Sequence, residues 1–412
     1  MKEKLKEKFS SFRATKSIII YALTLLFALL FLIVGNRVAS QGKSVFGAGE
    51  AEFWRARVQM IIREEKSGYE VEGSEDTMTI TSITFDAYAL SGPRKGETIR
   101  CVQQQDDMFA QFIPKVKPGD TVLIDVAHAG ADGEPGGEAY MMYEFARTTP
   151  LVWLGLFYAA LLIFFGRKKG FDTLLSFGFS ILAIFLVLVP AVLTGRDIYG
   201  WSLLICGCIV VVNLLLVQGP GAKSVTAGLG CFSGVLCSGL VIALMNKPLH
   251  ITGLLDEESI FLSYLSGGIN VRSTVFCMIL IGSIGALMDV AMDIAAALHE
   301  LREHNPDMPA RKLMASGLSI GKDLIGTMAN TLVLAYIGGS LGQLLVMITY
   351  SAGLSDILNR EAIAVEILQS LAGCLSMLAV VPITALFCSI FYRARPKAAI
   401  ETEAPPMEDE AV

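Results

Sequence analysis

Apolar runs dominate this chain, and one long polar stretch interrupts them. Residues 1–16 carry six Lys or Arg, and SIIIYALTLLFALLFLIV (17–34) follows as a nearly charge-free run that approaches the length of a bilayer-spanning helix. From 151 to 392 the chain is apolar again, broken at GRKKG (166–170), TGRDIYG (194–200), QGPGAK (218–223), a long polar-flanked segment (246–272), HELREHNPDMPARK (299–312) and AGLSDILNREA (352–362). The breaks predict spans near 151–165, 171–193, 201–217, 222–245, 273–298, 321–350 and 364–391, eight with the first.

Between the first two spans the pattern changes period. Residues 53–62, 78–90, 97–105, 120–128 and 138–146 alternate and are rich in β-branched and aromatic residues, with the breakers SGPRKG (91–96) and KPGD (117–120) between them. Five short strands predict a small all-β domain outside the membrane, a barrel of OB type.

Composition agrees with the pattern. The chain of 412 residues is 53% hydrophobic and only 17% charged, with a mean hydropathy of +0.57, which excludes an ordinary soluble protein. The net charge of -6 averages a basic start and an acidic tail and points to no nucleic acid. With eight spans and a cytoplasmic N-terminus, GRKKG, GPGAK, LREHNPDMPARK and RARPK all fall on the cytoplasmic face, as the positive-inside rule asks. The expected layout is a basic cytoplasmic N-terminus (1–16), an anchor (17–34), an extracytoplasmic β-rich domain (35–149), a seven-helix membrane domain (150–392) and a disordered cytoplasmic tail (393–412). A cleaved signal peptide ending near residues 38–40 is the rival for the anchor; its apolar core exceeds the usual length.

Carboxylates inside the run GALMDVAMDIAAALHEL (285–301) need an explanation. At about 100° per residue, Gly282, Gly285, Asp289, Asp293, Ala296 and Glu300 share one helix face. The next span repeats the device, placing Asp323, Thr327 and Asn330 at i, i+4 and i+7 beside Lys322. A charge at the bilayer centre costs about 2.5–3.5 kcal/mol or more, so such residues face a partner or water. Three readings remain open: a cation or proton site, a structural clasp neutralised by Lys322 and Asn330, or an interfacial placement of Asp293 and Glu300 that leaves Asp289 alone buried.

Other candidates are weaker. Gly230 and Gly234 stand at GxxxG spacing, a helix-packing signal; Glu366, Gln369, Asn213 and Gln218 read as packing hydrogen bonds. The CGC at 206–208, His128 with the loop GADGEPGGE (130–138), and His299 with His304 match no metal-site spacing. Seven of the eight cysteines lie in apolar runs, which argues against a disulfide framework. No nucleophile elbow or P-loop is present, so nothing supports an enzyme, and the sequence names no cofactor.

The run GSIGALMDVAMDIAAALHEL, then NP, then SGLSIGKDLIGTMANTLVLAYIGGSL resembles the YibE/F-like family of bacterial multi-spanning membrane proteins. The likeness extends to the anchor and to SGPRKGETI and VKPGDTVLI in the β-rich segment. It implies a plasma-membrane permease of unassigned substrate, and it marks Asp289, Asp293, Asp323, Asn330 and Thr331 as signature positions without giving them roles. Two functions follow as expectations. One is a transporter, ion-coupled through Asp289 and Asp293 with Asp323, Thr327 and Asn330 completing the site and Glu300, Lys322 and Thr331 in support, acting on a cation or small solute. The other is a membrane scaffold whose β domain binds an envelope protein. Oligomeric state is not written in the sequence.

Overall fold

A computed structural model describes residues 2–41, 53–70, 77–106, 113–127, 139–264, 269–351 and 353–392. The expected acidic tail and the His128 loop lie outside these residues. The chain forms two compact units, 46–161 and 1–45 with 162–412.

In the first unit five strands, β1 (Phe53–Glu70), β2 (Thr77–Ala89), β3 (Thr98–Asp106), β4 (Thr121–Ala127) and β5 (Ala139–Phe145), close a barrel in the order β1-β2-β3-β5-β4. Only the β3–β5 pair is parallel; the rest are antiparallel. Alternation turns Trp54, Ala56 and Val58 inward and Phe53, Arg55 and Arg57 outward. Ile83, Phe85, Cys101, Val122 and Ile124 fill the interior. Buried Gln103 and Gln105 close it, donating to the carbonyls of Pro114 and Ile113 at 3.1 and 3.0 Å, while Gln103 Oε1 accepts from Val116 N at 2.9 Å.

β1 is longer than its alternating sequence predicts. Register shifts between Val58 and Met60 and between Ile61 and Arg63 bend it, so its start pairs with β4 while its length pairs with β2. The turn at 91–96 requires glycine: Gly92 has φ +91°, and a β-carbon there would lie 2.4 Å from the Trp54 ring.

The second unit is helical. Its elements are α1 (Lys2–Ser40), the part of α2 (Thr148–Ala183) from Leu162 on, a π-helical turn (Ile184–Leu188), α3 (Val189–Leu193), α4 (Ile198–Val217), α5 (Ala222–Asn246), α6 (Glu257–Tyr264), α7 (Val271–His304), α8 (Ala310–Tyr350), α9 (Leu354–Asn359) and α10 (Glu361–Phe391). Among the described residues seven helical runs are long and apolar enough to cross a membrane. The count of eight differs because the second and third expected spans are joined in one run, Thr148–Leu193, whose 46 residues are long enough for two crossings. The polar break GRKKG is a sharp corner instead of a loop: Arg167 takes φ 49°, ψ -125°, and a β-carbon on Gly170 would stand 2.0 Å from the Leu162 carbonyl oxygen. In a continuous helix residues eight apart are about 12 Å apart.

The π turn precedes Pro190, whose missing N–H removes a backbone bond that the wider turn accommodates. Residues 38–40 are packed, not frayed: Ala39 is buried and its carbonyl accepts from Thr194 Oγ1 at 2.7 Å, and Val38 O accepts from Arg196 at 2.9 Å.

α10 is the spine, packed against α5, α7 and α8. Glycine allows each approach. A β-carbon on Gly230 or Gly234 of α5 would lie 1.9 Å from Thr384 Oγ1 or 2.3 Å from Val380 Cγ2, and one on Gly321 of α8 would lie 2.1 Å from Val381 Cγ1. The GxxxG pair is thus a packing device, as its spacing implies.

The expected loop 246–272 is pinned by α10. The Glu361 carboxylate accepts from Thr252 N, Thr252 Oγ1 and Gly253 N at 2.6, 2.7 and 2.7 Å. Glu361→Ala removes three charge-assisted bonds and is expected to lower stability by about 1–3 kcal/mol, read as a reduced unfolding temperature in detergent; an unchanged temperature would show that the clamp contributes nothing.

Candidate functional site

α7 divides cleanly into two faces. Leu287, Val290, Ala291, Ile294 and Leu298 turn into the bundle, while Gly282, Gly285, Asp289, Asp293 and Glu300 are exposed. Neither Asp289 nor Asp293 forms a hydrogen bond or ion pair among the described residues. Glu300 does, with Lys223 of α5 at 3.3 Å, so it belongs to a different contact.

α8 carries the second polar face. Gly317, Gly321 and Leu332, its line of contact with α10, lie within about 60° of one another, and Asp323 and Asn330 point roughly 150–170° away. Lys322, Asp323, Thr327, Asn330 and Thr331 are all exposed. Lys322 forms no ion pair among the described residues. The two threonines bond their own helix, Thr327 Oγ1 to Leu324 O at 3.1 Å and Thr331 Oγ1 to Thr327 O at 3.0 Å.

Two contacts fix how the helices run past each other. Near one end a β-carbon on Gly317 would meet Leu298 at 2.8 Å; further along, Tyr336 Oη and Gln369 Nε2 converge on Gly282, 2.9 and 2.8 Å from where its β-carbon would be. Interpolating between them sets Asp293 level with Asp323 and Asp289 level with Thr327. At that level α10 still presents Leu378 and Leu386 outward, 48% and 43% exposed. The carboxylates therefore lie within the apolar belt of the bundle. Between the two contacts neither Gly285 nor Gly326 has a heavy atom within 4 Å of its β-carbon position. The polar faces share a level, but no hydrogen bond or ion pair joins them among the described residues.

A cavity of about 700 Å³ lies elsewhere, walled by apolar side chains such as Phe27, Leu204, Leu229 and Phe232, with no charged group among the described residues that line it. Among the described residues no three His, Cys, Asp or Glu converge as metal ligands, and His299 contacts Glu303 at 3.2 Å.

Residues 154–394 match the family described as YibE/F-like protein. The chain belongs to that family. The YibE/F-like match covers all of α4 to α10 and begins after the barrel, so the likeness of the β-rich segment is not part of it. No curated protein and no solved structure matches the chain.

Sequence reading missed one carboxylate. Asp172 of α2 is 6% exposed and accepts from the Tyr21 hydroxyl of α1 at 2.7 Å. Its signal was present, a lone Asp two residues inside the apolar run that follows GRKKG; being satisfied, it ties two helices together.

Proposed function

We propose that this YibE/F-like protein is a plasma-membrane permease, coupled to a cation through the outward polar faces of α7 and α8, with both termini in the cytoplasm. One observation carries the reading: Asp293 and Asp323 lie at one level of the apolar belt, with Asp289 one turn along at the level of Thr327, and none of the three forms an ion pair among the described residues. Each would cost about 2.5–3.5 kcal/mol or more against hydrocarbon, so water or a bound cation must compensate them. Thr327 and Asn330 add neutral oxygens at the same depth, and Lys322, Thr331 and Glu300 flank it. The barrel, whose strand order and parallel β3–β5 pair fit the OB type, stands on the extracytoplasmic side.

Thermal unfolding of the detergent-purified chain across Na⁺, K⁺, Ca²⁺, Mg²⁺ and pH tests the site. A cation that binds only the folded state stabilises it by about 2.7 kcal/mol at a hundred times its Kd. One cation is expected to raise the unfolding temperature of the wild type and to leave Asp289→Asn/Asp293→Asn unmoved. If no cation acts and the double mutant is only less stable, the carboxylates are a clasp and the permease reading loses its support.

A second reading, a scaffold that binds an envelope protein, is favoured by a different feature. On the barrel surface Phe53 and Tyr143, 45% and 64% exposed, sit with ring centroids 4.6 Å apart. An aromatic pair left open to solvent is the sort of anchor a partner covers.

A further inference from the structure

The barrel unit contains a basic cavity of about 660 Å³, formed where the outer face of β1 meets the start of β4 and the entry to α2. Arg55, Arg57 and Arg147 line it with Asp120, Thr121 and Thr149. Alternation places Arg55 and Arg57 on one side of β1, about 7 Å apart. Thr121 stands opposite Arg57 across the β1–β4 pair, and Arg147 follows the end of β5.

The charges do not cancel. Arg147 is paired with Glu144 at 3.0 Å, whose carboxyl is held below the usual range by the Phe145 N–H and by Arg147 itself. Asp120, also in the lining, accepts from Lys117 N at 2.8 Å and keeps its charge, so three guanidinium groups stand against two carboxylates, Asp120 and Glu144, and the site is net positive. Arg55 and Arg57 form no ion pair among the described residues, so two guanidinium groups face an open cavity beside a third. Such a set matches the paired oxygens of a phosphate better than any neutral ligand, and the first turn of α2, with Thr149 in the wall, adds a positive helix end.

Location narrows the source. Pro150 closes the wall, and the residues after it, Leu151, Val152, Trp153 and Leu154, are 60–68% exposed and apolar. A helix rises about 1.5 Å per residue, so the arginines sit within one or two turns of the surface this helix would bury in lipid, where Trp153 and Tyr158 suit the headgroup layer. We propose that the cavity binds an anionic phosphate, that of a lipid headgroup at the extracytoplasmic surface of the membrane.

The test titrates the full-length protein in detergent with dihexanoyl-phosphatidylglycerol, dihexanoyl-phosphatidylcholine or inorganic phosphate, following the unfolding temperature. The anionic lipid is expected to raise it by several degrees, the zwitterionic lipid by less than half as much, and inorganic phosphate to act only at tenfold or higher concentration. Arg55→Gln/Arg57→Gln should lose at least two-thirds of the shift, and Arg55→Lys/Arg57→Lys should keep part of it. Should the Gln pair alone prove unstable, 0.5 M NaCl added to the wild type replaces it and should abolish the shift. Inorganic phosphate acting at the same concentration as the lipid would overturn the lipid source while upholding phosphate binding. A shift equal in wild type and Gln variant, or untouched by salt, would overturn the site altogether.

Discussion

Gly321→Leu is expected to cost this protein most of its folded yield, whereas Gly326→Leu, five residues along the same helix, should be tolerated. A β-carbon at Gly321 would already lie 2.1 Å from Val381 Cγ1, and the rest of a leucine would have to displace α10, which also packs on α5 and α7. Overpacking of a core costs about 1–3 kcal/mol when the neighbours can give, and more when a helix must move, against a total stability of about 5–15 kcal/mol. Gly326 has nothing within 4 Å, so leucine there meets no obstacle and gains about 1 kcal/mol or less of helix propensity. Size-exclusion profiles and unfolding temperatures of the two variants separate the cases. Equal behaviour would mean that α8 does not pack on α10 through Gly321.

Much of this architecture is written locally, and the unreadable part is tertiary. Hydropathy locates the long helices because each must offer an apolar exterior, and period-two alternation locates the five strands because each has one face in the barrel. The helix face of Asp289 and Asp293 follows from arithmetic on a single segment. By contrast, β1 runs on through the polar stretch REEKSGYE because β2 supplies its hydrogen bonds there, which nothing in those residues announces. The corner at Arg167 hides in a motif that reads equally well as a loop. The outward direction of Asp323 is set by Gly317, Gly321 and Leu332 meeting α10, and the arginine cavity joins residues some 90 positions apart; both depend on partners that no window of sequence contains.

That outward direction makes water access the decisive property of the candidate site. Cysteines replacing Asp293, Asp323 or Thr327 are expected to react with a charged, membrane-impermeant maleimide on the order of a hundredfold faster than one replacing Leu334, because the reaction needs a hydrated thiolate. Leu334 is the matched control, 59% exposed on the same helix but in its apolar half. The native cysteines are free thiols; of these, burial and the nearby Asp86 push Cys101 up to about 12, which keeps it silent at neutral pH. Labelling from the side that bears the 299–312 segment would show a water-filled vestibule reaching the three carboxylates, the condition a coupling cation requires. Rates as slow as that of the control at all three positions would place the face against lipid or beneath another protein surface, and the cation pathway along α7 and α8 would have to be abandoned.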